Sequence, residues 1–107
     1  MGIIFYVEED TLIAGLSGEI DHYVSEKLRK NIDEEIALCG TKNLTFDFSD
    51  VDFMDSSGIG MVLGRYKKVH SDGGNVTIRN ASRLVKQILD MSGVFSLMKY
   101  EDNETGE

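Results

Sequence analysis

A chain of 107 residues is the size of one domain, long enough for a single hydrophobic core and too short for two. A formal charge of -8, with 41% hydrophobic and 28% charged residues, excludes intrinsic disorder and argues against direct binding to nucleic acid or anionic lipid, which requires Lys and Arg to neutralise phosphates. Cys39 is the single cysteine, so an intramolecular disulfide and a multi-thiolate metal site are excluded, and no apolar run approaches the roughly 18 residues of a membrane span. No basic leader precedes Ile3-Ile4-Phe5, and the expected location is the cytoplasm.

With eleven glycines and no proline, turns must be made by Gly, Asn and Asp. Ile3 to Val7 is expected as a strand, Glu8-Glu9-Asp10 as a turn and Thr11 to Ser17 as a second strand, together a hairpin. Asp21 is a good helix N-cap, and Val24, Leu28, Ile32 and Ile36 form one apolar stripe that should stop near Gly40. Leu44 to Phe48 alternates with period two and is expected as a central strand, with Val51 and Phe53 in the loop beyond it. From Ser57 onward Ile59, Val62, Leu63, Tyr66 and Val69 fall at helical spacing, and Ser71-Asp72-Gly73-Gly74 is a stop signal. Val76 to Ile78 makes a short strand. Ser82 caps a helix expected to be buried through Leu84, Val85, Ile88 and Leu89, with Gly93 where a C-terminal glycine belongs. Residues 101–107 have the composition of a frayed acidic tail. The order β-β-α-β-α-β-α predicts an α/β domain with a mixed sheet of about four to five strands and helices packed on it.

The stretch that carries chemistry runs from Asp47 to Gly60, a buried strand leading through an acidic segment into a helix that opens on paired serines. A helix N-terminus favours anionic oxygens, so a phosphate on Ser57 would be tolerated there. Asp47, Asp50, Asp52 and Asp55 lie close in sequence, and an added charge of about -1.5 to -2 would deepen a negative patch. The plainer reading makes Asp55 or Ser56 an ordinary N-cap. Gly58, Gly60 and Gly64 weaken that reading, because each glycine inside a helix costs roughly 1 kcal/mol relative to alanine. Close packing within the chain and close approach of a partner's backbone both explain them. Met61 and Arg65 should project away from the apolar stripe and offer an apolar and a cationic contact near Ser57.

Phe53-Met54-Asp55-Ser56-Ser57-Gly58-Ile59-Gly60, followed by Leu63-Gly64-Arg65-Tyr66-Lys67, resembles the signature of the anti-sigma factor antagonists of the STAS domain family. Gly18-Glu19-Ile20-Asp21-His22 and Asp90-Met91-Ser92-Gly93-Val94-Phe95 extend the resemblance over nearly the whole chain. It implies a single STAS domain over 1–107 whose Ser57 is phosphorylated by a partner anti-sigma factor acting as an ATP-dependent serine kinase, with Ser56 the non-accepting neighbour. It further implies that the unphosphorylated form binds that kinase and releases a sigma factor, that phosphorylation ends the binding, and that a phosphoserine phosphatase restores it, as in sporulation-type control of transcription. Asp21 matches an acidic position that helps dock the kinase beside the serine. Asp21, Asp55, Ser56, Gly58, Met61 and Arg65 are thus the expected partner surface on a chain that is monomeric when free.

Other classes fit less well. With His22 and His70 the only histidines and no Gly-x-Ser-x-Gly elbow, a serine hydrolase is not expected. A receiver domain would carry its phosphate on Asp47 or Asp50 and hold a divalent metal. Gly58-x-Gly60-x-x-x-Gly64 departs from the dinucleotide-binding spacing, which leaves nucleotide binding a weak alternative. An interaction module of a stress-signalling assembly is another. Neither metal nor cofactor is expected, His22 being a surface side chain. Among the methionines only Met61 is assigned a functional role, Met54, Met91 and Met98 being core fillers.

Overall fold

The computed structural model describes residues 2–102. Strands β1 (Gly2–Glu8) and β2 (Thr11–Ile20) form the expected hairpin, closed by the pair Glu8 and Thr11. Helix α1 (His22–Cys39), strand β3 (Asn43–Met54), helix α2 (Ser56–Ser71), strand β4 (Val76–Arg79), helix α3 (Arg83–Met91), a 3-10 turn (Val94–Ser96) and strand β5 (Lys99–Glu101) follow. The strands lie in sequence order in one sheet, β1 antiparallel to β2 and every later pairing parallel.

Each parallel connection steps the same way along the sheet, so right-handed crossovers set all three helices on one face. That face holds the core. Leu12, Ala14 and Leu16 of β2, Leu44, Phe46 and Phe48 of β3, and Val76 and Ile78 of β4 pack with Val24, Leu28 and Ile32 of α1, Val62 of α2, and Val85 and Leu89 of α3. On the other face long side chains provide the cover: Arg79 Nη2 lies 3.9 Å from Glu8 Oε1, and Ile13 is 1% exposed.

Four expectations need correction. β3 does not end at Phe48 but continues to Met54, and β2 continues beside it to Ile20. Two register shifts, between Gly15 and Ser17 and between Gly18 and Glu19, move the inward positions of β3 from Leu44, Phe46 and Phe48 to Val51 and Met54. A bulge interrupts period-two alternation without ending the pairing, so the pattern stops before the strand does. On α3, Val85 and Leu89 are buried and Ile88 is half-buried, but Leu84 is 48% exposed, because a nine-residue helix turns only a narrow stripe to the sheet. Met54 and Met98 fill the core as expected, whereas Met91 stands in solvent at 87% exposure. Glu101 belongs to β5, which pairs with β4, so ordered structure extends into the expected acidic tail, and 103–107 lie outside the described residues.

Candidate functional site

The site is built where β2 and β3 end side by side. Ile20 pairs with Met54, and the Asp55 N–H donates to the Ile20 carbonyl at 3.1 Å, so the two helices start from adjacent points. Each start carries an aspartate cap. Asp21 accepts the Val24 N–H at 2.9 Å and Asp55 accepts the Ser57 N–H at 2.9 Å, satisfying donors that a helix N-terminus leaves open. Asp55, not Ser56, is the cap of α2.

Asp55 also accepts from the Ser57 hydroxyl at 2.5 Å. That hydrogen bond, ahead of the backbone ones, holds the Asp55 carboxyl below its ordinary range, since it favours the ionised acceptor. Ser57 Oγ also lies 3.2 Å from Ser25 Oγ on α1. A serine hydroxyl has one hydrogen, and with Ser57 giving its own to Asp55, Ser25 is the donor in that contact. Ser57 is therefore half-buried with its hydroxyl fixed from two sides, while Ser56 is exposed.

Because α1 and α2 both follow parallel strands, they run side by side and meet in rungs. Ser25 faces Ser57, and two turns further on Asp33 faces Arg65, with Oδ1 2.8 Å from Nε. By distance this is an ion pair, although the Nε–H is not aimed at the oxygen. Arg29 and Met61 occupy the turn between. Ser25, Arg29, Ser57, Gly60, Gly64 and Arg65 line one groove of about 270 Å³, together with His22, Glu26 and Met61.

The groove corrects the expectation for two residues. Met61 and Arg65 do not project into solvent; they are 4% and 7% exposed. The buried positions of α2 are Gly58, Met61, Val62, Arg65 and Val69, because α1 covers the flank that a sheet-facing stripe alone would leave open. Burial lowers the Arg65 pKa, and Asp33 opposes that effect. Arg65 is thus a structural cation at the base of the groove, held also by its Nη1 donating to the Met61 carbonyl at 3.3 Å.

The glycines divide. A Cβ on Gly58 would meet Met54 Sδ at 3.0 Å and Ile20 Cγ2 at 3.3 Å, so this residue is small for packing. Added at Gly60 or Gly64, a Cβ would meet nothing within 4 Å. All three lie inside α2, not in the open strand-to-helix loop that a nucleotide phosphate needs. The acidic segment is also less concentrated than its sequence suggests. Asp47 accepts from the Ser49 N–H and hydroxyl, and Asp47 and Asp50 line a separate depression with Ile4 and Tyr6 of β1. Among the four aspartates considered, Asp55 is the one bonded to Ser57. His22 lies 3.9 Å from Glu26 with most of its side chain in solvent. No helix among the described residues is long and apolar enough to cross a membrane.

The five-stranded mixed sheet with its three helices is the fold of a known domain: the STAS domain family matches residues 3–105, and the chain belongs to it. The anti-sigma F factor antagonist of Paenibacillus polymyxa is 41% identical over 93 residues, covering 87% of this chain and 80% of that protein. The structure of the anti-sigma factor antagonist SpoIIAA in its unphosphorylated form is similar with a TM-score of 0.80 at 29% identity, over 92% of this chain and 87% of that one. The Bacillus cell fate determinant SpoIIAA in its phosphorylated form gives 0.73 at 29% identity, over 92% and 90%.

Proposed function

We propose that this protein is an anti-sigma factor antagonist whose partner choice is set by phosphorylation of Ser57. Unphosphorylated, it binds an anti-sigma factor that is also a serine kinase and so releases a sigma factor; phosphorylated, it does not bind, and a phosphatase resets it. Its effect on transcription is indirect, of the sporulation type, and exerted by a monomer in the cytoplasm.

The observation that carries this reading is the Ser57 hydroxyl, fixed by Asp55 and Ser25 at the head of α2. Phosphoryl transfer depends mainly on placing the acceptor oxygen in line with the γ-phosphate, and a hydroxyl held by two neighbours meets that need better than that of the exposed Ser56. Around it the kinase would meet Asp21, Asp55, Ser56 and the rim of the groove over Gly58, with Met61 and Arg65 supporting that rim from beneath. Tyr23 and Phe53, 67% and 42% exposed at the same end of the sheet, supply apolar contact area. A phosphate beside Asp55 adds about -1.5 to -2 charge to a surface already acidic, which removes the match to any partner that presents cations there.

The test is intact-mass spectrometry of wild type, Ser56→Ala and Ser57→Ala after incubation with ATP and the partner anti-sigma factor, with a pull-down of that factor in parallel. One phosphate on wild type and on Ser56→Ala, none on Ser57→Ala, and loss of capture on phosphorylation are expected. Capture with no phosphate on any of the three would replace the switch by a constitutive interaction module.

A further inference from the structure

We propose that the chain holds the phosphoryl group of phospho-Ser57 itself, in the groove between α1 and α2, against the Ser25 hydroxyl and the Arg29 guanidinium. The inference rests on the switch described above and adds where the phosphate goes.

Phosphorylation exchanges the Ser57 hydroxyl hydrogen for a dianion. The hydrogen bond to Asp55 is then lost and a carboxylate faces a phosphate at short range, which drives the phosphoryl group off that side. On the opposite side Ser25 remains a donor. It is 5% exposed, and its Oγ already lies against Ser57 Oγ, so its hydroxyl needs an acceptor that the ester or phosphoryl oxygens supply.

Arg29 is about one turn from Ser25 on the same face of α1, a rise of about 6 Å, well within reach for an arginine side chain and a phosphate leaning toward each other. The other cation of the groove, Arg65, is committed to Asp33, and the two arginines are near enough to oppose each other's charge. Arg29 makes no ion pair within 4 Å among the described residues, so its guanidinium is available to a phosphate in a chain of net charge -8. Of the remaining charged groups, His22 and Glu26 are drawn to each other at the mouth of the groove, and Asp55 stands on the far side of Ser57. Gly60 and Gly64 add no side chain to the α2 wall of the groove, and the space of about 270 Å³ is large enough for a phosphate. The phosphate then fills the groove and reverses its charge on a fold that stays as it is.

The experiment uses the full chain with phosphoserine incorporated at position 57 during synthesis and follows the phosphate by 31P NMR across pH at 0.15 M salt. Arg29→Gln is expected to raise the second phosphate pKa by about half a unit, the value for one charge about 6 Å away in a water-like dielectric. Arg29→Lys should retain most of the wild-type value, and Ser25→Ala should shift the resonance in the same sense as Arg29→Gln. Lys30→Gln, on another face of α1, should leave the titration unchanged. Identical titrations for wild type and Arg29→Gln, or an equal shift from Lys30→Gln, would overturn the proposal. Arg29 is exposed, so its variants test the idea even if Ser25→Ala fails to fold. A kinase that leaves Ser57 unmodified would count against the switch and not against this measurement.

Discussion

Alanine at the three α2 glycines should not act alike, although the three lie within about two turns of one helix. Gly60 and Gly64 have no positive φ, and a Cβ there meets nothing within 4 Å, so alanine gains the helix preference alone, about 1 kcal/mol at each site. Gly58 would gain the same amount but would press on Met54 Sδ at 3.0 Å, Met54 Cβ at 3.2 Å and Ile20 Cγ2 at 3.3 Å. Met54 and Ile20 are fully buried and have no room to retreat, and overpacking of this kind costs about 1 to 3 kcal/mol. Gly58→Ala should therefore be neutral or destabilised by up to roughly 2 kcal/mol. In thermal unfolding followed by circular dichroism, Gly60→Ala and Gly64→Ala should each raise Tm by roughly 4 to 8 °C, while Gly58→Ala lowers it or leaves it unchanged. A lower Tm for both Gly60→Ala and Gly64→Ala would refute the reasoning, since it would mean that something within the chain requires their small size. The two stabilised variants should bind the anti-sigma factor less tightly if its backbone approaches the groove rim.

Asp33→Ala should destabilise by about 1 to 3 kcal/mol in urea unfolding, more than Arg65→Met, because it strands a buried guanidinium whereas the second removes the charge that needs a partner. Asp55 has a folded-state pKa below its unfolded value, so its contribution is present above the ordinary carboxylate range and is lost as pH falls through the folded value. Acid titration of stability should accordingly show a shallower loss below about pH 4 for Asp55→Asn than for wild type, and equal slopes would refute that assignment. Gly74→Ala should cost roughly 3 kcal/mol or abolish expression, since a Cβ there would fall onto the Lys42 carbonyl oxygen and crowd Val69 Cγ1 at 2.9 Å. A wild-type Tm for that variant would show that the turn between α2 and β4 can move aside.

Local signals placed most of the architecture. Asp21 and Ser82 cap helices because their short side chains reach backbone N–H groups three residues on, an interaction written within four consecutive residues. The stripe Val24, Leu28, Ile32 likewise needs only helical spacing. Asp55, Ser56 and Ser57 could be singled out for the same reason: strand, cap and helix start are adjacent along the chain.

What sequence spacing did not supply was the partner of each helix flank. Periodicity separates a core face from an outer face, but it does not say that α1 lies beside α2 in a register setting Ser25 against Ser57 and Asp33 against Arg65. Those pairs are 32 residues apart and exist only because two parallel crossovers stack on one face of the sheet. For that reason Met61 and Arg65 read as projecting residues and proved buried, and Ser25, Arg29 and Asp33 carried no signal of their own. The same limit explains β3, whose bulged pairing with β2 erased the alternation that marks a strand. Composition, caps and apolar spacing by themselves determined a one-domain α/β chain with a serine at a helix head. Only the packing of one helix on another decided what surrounds that serine, because contacts between distant residues follow from chain topology and not from local preference.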